Sequence, residues 1–383
     1  MKKITILFYL IVFSFINLAC LWDRDTITFE SENFPSTLEM ITGNFIRHSP
    51  EFYQWRIQDR EAKLKTNPNQ WNYYDDLAVA YDKTGNHTKA IELMQQKEKL
   101  HPNQYETYAN LGTFYIHNKQ YQEGLKYIDK AIAINVNAHF GREIYQKHLV
   151  TYLLSKMKNG NITLPLNPYA QNHYHQTGFH YYLKKKQKDQ YKNSLAIFGV
   201  MGMIKFGKHN SPILMEVLGD LLAGDSKSIP NAPYFAYMAY QQAGKFAQNA
   251  TAKQLYLNKN PIKNQWPTLK YHLVKRVPRK QIQQYVDKEL AYEVQKGQLL
   301  AQQIKRDETH WITTKVNPET QFDQKYLKKD RIQQYMDWQE KQLKKSENRL
   351  KKKLDMKITK DSTPDSTAKS VKKKTDITQR YGS

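Results

Sequence analysis

Shifted against itself by 34 residues, the chain aligns Tyr74, Leu77, Ala78 and Tyr81 with Tyr108, Leu111, Gly112 and Tyr115. Farther along, Ala90, Ile91 and Met94 fall on Gly124, Leu125 and Ile128, and Leu100 falls on Ile134. Large apolar residues three and four positions apart share one face of an α-helix, so each unit reads as a pair of amphipathic helices. Small residues at 78/112 and 90/124 let the paired helices approach closely. The turns fall at Lys83-Thr84-Gly85-Asn86 and His117-Asn118-Lys119, where Gly or Asn can take a left-handed backbone.

This pattern resembles the tetratricopeptide repeat, a helix–turn–helix unit of about 34 residues that stacks into a solenoid. Repeats at 71–104 and 105–138 carry the resemblance. Pro102 closes the first, while Val136 holds the matching place in the second. Residues 36–70 read as a degenerate first repeat. A capping box, Ser36-Thr37-Leu38-Glu39, opens one helix, and Ser49-Pro50 opens another that ends before Asn67-Pro68. Gly43 and Asn44 depart from the repeat pattern in that first helix. A capping helix over 139–156 completes a solenoid spanning 36–158.

The fold class expected is all-α. Of 383 residues, 40% are hydrophobic and Gly and Pro are sparse, a composition that favours helix and is long enough for a sizeable core. Beyond Gly160 the repeat is lost, but helices continue through 159–277, with starts at Ser211-Pro212 and Asn231-Ala232-Pro233. Those hairpins are compatible with divergent repeats or with a separate helical domain. The Gly-containing run Phe198-Gly199-Val200-Met201-Gly202 lies in an apolar helix and reads as a close helix–helix contact. Long amphipathic helices are expected over 278–354, and residues 355–383, Lys-, Ser- and Thr-rich, read as a disordered basic tail.

The start of the chain has a cationic Met-Lys-Lys, an apolar run to about Ile16, and Leu18-Ala19-Cys20. That is the layout of a secretory signal over 1–19, with an apolar stretch short for a bilayer span. It resembles a bacterial lipobox, although Asn17 replaces the usual Leu. The resemblance implies lipidation of Cys20, the one cysteine of the chain. Residues 20–35, with Asp23, Asp25, Glu30 and Glu32, read as an acidic, flexible linker from membrane to folded body. Three short sites, Asp25-Thr26-Ile27, Asp361-Ser362-Thr363 and Asp365-Ser366-Thr367, resemble O-glycosylation acceptors of some envelope proteins.

The formal net charge is +23, of which roughly +14 lies beyond residue 260. Nucleic acid is disfavoured as a partner, because an exported chain rarely meets it and no recognition motif is present. Attraction to anionic lipid or cell-wall polymer and a merely solvated Lys-rich tail both fit. No Gly-x-Ser-x-Gly, Walker, Rossmann or His-Glu-x-x-His pattern occurs. The closest histidines, His173, His175 and His180, lack an acidic or Cys partner nearby. No enzyme activity, cofactor or metal site is therefore expected.

Tetratricopeptide arrays bind peptides or proteins in a concave groove lined by the first helix of each repeat. The resemblance places Asn72, Asp75, Val79, Asp82, Glu106, Ala109, Thr113 and Ile116 at that groove. The set lacks the Lys/Arg cluster that clamps a C-terminal carboxylate, and its acids suit a basic or hydroxyl-rich ligand. The expected function is a membrane-tethered adaptor in the bacterial cell envelope, on the outer membrane, holding an envelope protein or peptide. The alternative is a structural protein that binds cell-wall or surface polymer through its basic C-terminal part.

Overall fold

The computed structural model describes residues 21–26, 34–136, 138–168, 178–224, 231–264 and 281–327. The signal segment 1–19, Cys20, His173, His175, the basic tail and everything else beyond Leu327 lie outside the described residues. So do the two acceptor-like sites at 361–367. Every regular element among the described residues is an α- or 3-10 helix, with one isolated β-bridge between Lys158 and Asn161. No described helix is long and apolar enough to cross a membrane.

Local chemistry sets the first helix ends. The Ser36 hydroxyl accepts from the Glu39 N–H while the Glu39 carboxylate accepts from the Ser36 N–H, opening helix α1 (Thr37–Thr42). Gly43, at φ 70°, ends it in a left-handed turn. Ser49 caps helix α2 (Pro50–Thr66) with proline at its first position. Next come α3 (Trp71–Lys83), α4 (His87–Leu100), α5 (Tyr105–His117) and α6 (Tyr121–Ile134). Each start in the second pair falls 34 residues after its counterpart in the first. The left-handed turn residue is Gly85 in one pair and Lys119, not Asn118, in the other.

The close approach expected of the small residues is visible in distances. A Cβ on Gly112 would stand 2.5 Å from Ile128 Cδ1, and one on Gly124 would stand 2.9 Å from the Gly112 carbonyl oxygen.

Helices α7 (Arg142–Lys156), α8 (Gly178–Gln187), α9 (Asn193–Phe206), α10 (Pro212–Gly224), α11 (Ala232–Phe246), α12 (Ala250–Leu257) and α13 (Pro261–Asn264) follow. They share one apolar core with the end of the paired helices: Ile116, Ile128 and Leu149 cluster with Val200, Leu218 and Ala239. The described residues between 159 and 264 therefore do not pack apart from what precedes them. Gly199 and Gly202 make the expected close contact, against Tyr145 and Arg142 of α7. Helix α10 is buried on every side, and its carboxylates are satisfied. Glu216 accepts from the Leu166 and Asn167 N–H groups, the Tyr256 hydroxyl and Lys259. Asp220 accepts from the Phe179 N–H and the Tyr240 hydroxyl.

The long helix α14 (Ile282–Thr313) and the short α15 (Pro318–Tyr326) return to the beginning of the chain. Ile304, Phe322 and Tyr326 form an apolar cluster with Phe206. The crossing depends on one small residue. A Cβ on Gly297 would lie 2.8 Å from the Thr42 carbonyl oxygen and 2.8 Å from the Gly43 carbonyl carbon. These are backbone atoms that no rotamer change can move. Gly297→Ala is expected to cost about 1–3 kcal/mol by overpacking. Its helix-propensity gain, roughly 1 kcal/mol, should not offset that cost. Urea unfolding checks this, and an unchanged or raised midpoint would show that α14 can shift without loss.

Candidate functional site

Residues 21–26 pack against α3 and α5. Leu21 is buried in the cluster built by Tyr74, Leu77, Val79 and Phe114. Trp22 meets Tyr105 edge-on, with ring centroids 5.8 Å apart. The backbone at Trp22 is read by one carboxamide. Its N–H donates to Asn110 Oδ1 at 2.8 Å, and Asn110 Nδ2 donates back to the Trp22 carbonyl at 2.9 Å. Asp75 orients that carboxamide from behind, accepting from Asn110 Nδ2 at 3.3 Å and from the buried Lys97 at 2.5 Å. One residue pair along, the Arg24 N–H donates to Asp76. Thr26 then closes a turn, its hydroxyl donating to the Leu21 carbonyl and its N–H to Asp23.

The acids of this segment are locked by α2. Arg56, wholly buried, grips Asp25 with two parallel bonds of 2.7 and 2.9 Å and reaches Asp23 at 3.3 Å. Its Nε donates to Glu319 of α15 at 2.9 Å. One turn later, Arg60 joins Asp76 to the same Glu319. Arg24 pairs with Asp323. His48 stacks on Phe52, with centroids 3.6 Å apart, and lies between Glu308 at 2.5 Å and Asp25 at 3.3 Å. The Ser49 N–H also donates to Glu308. One ionic network thus joins the N-terminal segment, α2, α3, α14 and α15.

Burial acts on these groups in opposite directions. It pushes the Asp25 carboxyl up, but Arg56 and His48 together hold it well below the usual carboxylate range. Asp23 has only the weaker half of Arg56. Burial, followed by the neighbouring Asp25 charge, lifts it to about 6. For His48, burial favours the neutral ring, yet the flanking Asp25 and Glu308 raise its pKa to about 9.

His48 has a stability consequence. Its folded-state pKa of about 9 exceeds the unfolded value of 6.5, so its stabilisation is complete below about pH 6.5. It is lost as pH rises through 9. The unfolding free energy of the native chain should fall by a few kcal/mol between pH 6 and pH 9.5. That fall should be markedly shallower in His48→Gln. Parallel pH curves for the two proteins would refute the assignment.

The expectation of a flexible acidic linker is corrected at residues 21–26. Asp23 and Asp25 are 3% and 5% exposed because Arg56 and His48 need buried counter-charges. Thr26, 1% exposed, has its hydroxyl engaged with Leu21 and Asp23, so a transferase cannot reach it in this fold. Of the expected groove side chains, Asn72 is exposed and Glu106 half-buried, while Asp75, Val79, Asp82, Ala109, Thr113 and Ile116 are interior. Asp75 serves Asn110 and Lys97. Asp82 serves His87 and His117. Thr113 accepts from Gln146 of α7. Ile116 joins the main core. The face is thus filled by the chain itself. His180, the described member of the histidine set, is buried and bonded to Asn193 and Tyr191.

Trp22, Asn110, Arg56, His48, Glu308 and Glu319 were not legible as site residues. The one local signal was the pairing of Arg56 with Arg60 one turn apart, on a helix face that also carries Phe52. Beside the segment lies a cavity of about 340 Å³. Its basic wall includes Lys83, whose ammonium donates to the Phe206 and Gly207 carbonyls. Burial pushes the Lys83 pKa down. His209 stands on the same wall, and burial takes it down to about 3. Chemically, the arrangement can hold a short peptide by its backbone and neutralise acidic side chains on it. No protein-family model matches the chain, and no curated protein matches it.

Proposed function

We propose that the chain is a tetratricopeptide-type scaffold, tethered through lipidated Cys20 to a membrane of the bacterial envelope, that holds partner proteins there. The observation that carries this reading is the carboxamide of Asn110, which bonds both the backbone N–H and the backbone carbonyl of one residue, Trp22. Such a contact reads backbone and is indifferent to side chain, as a peptide-binding groove requires. It lies on one of the helices whose starts recur at 34 residues. Here the peptide in the groove is the chain's own.

That changes the picture of the tether. With residues 21–26 clamped, the folded body sits directly behind Cys20 rather than on a sixteen-residue leash, and its orientation to the membrane is restricted. Partners then meet the rim, at Asn72 and Glu106, and not the groove floor. The test has two arms in the native host. The mass of the mature N-terminus shows whether Cys20 carries acyl chains. A photo-crosslinker placed at Asn72, and separately at Glu106, should capture the same envelope protein. A soluble, unacylated product would remove the tether, and no captured protein at either position would remove the scaffold role.

A further inference from the structure

Three helix ends converge beside the groove. Asp82 ends α3, His87 begins α4 and His117 ends α5. His87 Nδ1 stands 2.7 Å from Asp82 Oδ1, and His117 Nδ1 stands 2.8 Å from the same oxygen and 2.9 Å from Oδ2. One potential ligand atom from each of the three residues lies within 4.8 Å of the others. Asp82 and His117 are buried, at 6% and 5% exposure.

Both rings point Nδ1 at one carboxylate, so each Nδ1 carries a proton in the metal-free cluster and an ion bound there would take the place of both. His117 Nε2 then remains, buried and without a hydrogen-bond partner. An interior imidazole nitrogen in that condition carries the desolvation cost of an unsatisfied polar group. The side chains also line a cavity of about 360 Å³, whose walls include Gly85, Gly207 and Leu21. That is space for a cation and its remaining water ligands.

We infer that Asp82, His87 and His117 form a binding site for one divalent transition-metal ion of the zinc class. Two imidazole nitrogens and one carboxylate oxygen match the donor preference of such an ion. Three protein ligands leave a coordination position facing the cavity. Mg²⁺ and Ca²⁺, which take oxygen ligands, do not suit a site with two nitrogens. Lys83 and Lys208 share the cavity wall and oppose a cation. The Lys83 ammonium is, however, committed to the Phe206 and Gly207 carbonyls. An ion here would pin the ends of three successive helices beside Leu21, the first described residue of the groove-bound segment.

The experiment titrates the full, tag-free chain, stripped with chelator, with Zn²⁺ by calorimetry and with Co²⁺ by visible absorption. One ion per chain is expected, with the intense absorption bands of low-coordinate Co²⁺, and both signals should vanish in His117→Ala. His87→Ala, at a half-buried position on a helix's first turn, supplies a second variant whose folding is not in question. Circular dichroism verifies that both remain helical. No binding by the native chain would overturn the inference and leave a purely hydrogen-bonded cluster. Equal binding by native chain and both variants would also overturn it, placing the ion on other histidines.

Discussion

Arg56→Leu is expected to lower the unfolding free energy by about 3–5 kcal/mol, the cost of breaking a buried ion pair by removing one partner. The guanidinium is wholly buried and serves Asp23, Asp25 and Glu319 at once. Leucine would leave Asp25 and Glu319 desolvated with their main counter-charge gone. Two carboxylates held down by cations would then have to protonate or pull water inside. The diagnostic companion is Arg56→Leu combined with Asp25→Asn. Removing charges on both sides of a buried pair costs far less than removing one, so the double variant should recover a good part of the loss. Urea titrations of the four proteins in this cycle isolate the coupling. A single-variant cost below about 1 kcal/mol, the level of an exposed pair, would mean that the network opens to water.

The second large effect is expected at Asn110. Asn110→Ala takes the partner from the N–H and carbonyl of Trp22 in a partly buried setting, at about 1 kcal/mol for each group. It also deprives Asp75 of one donor. The variant can escape part of that cost by fraying at Leu21 and Trp22, ahead of the pair between Arg56 and Asp25. Its visible result is therefore local fraying rather than global unfolding. Trypsin should cut after Arg24 in the variant far faster than in the native protein, where that residue is tied to Asp76 and Asp323. The helical signal should change little. The mass of the product identifies the cut. Equal cleavage in both proteins would show that the carboxamide does not hold the segment, and the backbone-reading role of the groove would fall with it.

How far the sequence carried differs between the helices and the site. Ser36 and Glu39, Ser49 and Pro50, and Gly85 are local devices, and each marks a helix end within a residue or so. The apolar spacing of Tyr74, Leu77 and Tyr81 likewise needs only a helix to acquire meaning. Lys119 escaped this logic. It takes the left-handed position that its neighbour Asn118 seemed better suited to fill, because helix packing on both sides fixes the turn regardless of intrinsic preference.

The site was another matter. Asp23 and Asp25 look like solvated charges until Arg56, some thirty residues on, is placed against them, together with His48 and Glu308. Asp82 reads as a groove acid until His87 and His117 are brought to it by two turns of the chain. The sequence by itself determined the helical character of the described residues, the capped helix ends and the 34-residue spacing, because those follow from interactions within a few residues. Only the tertiary structure decided that residues 21–26 pack against α3 and α5, that α14 returns across Gly43, and which charges are buried. Those outcomes depend on long-range counter-charges and on a glycine at 297, whose partners no local pattern names.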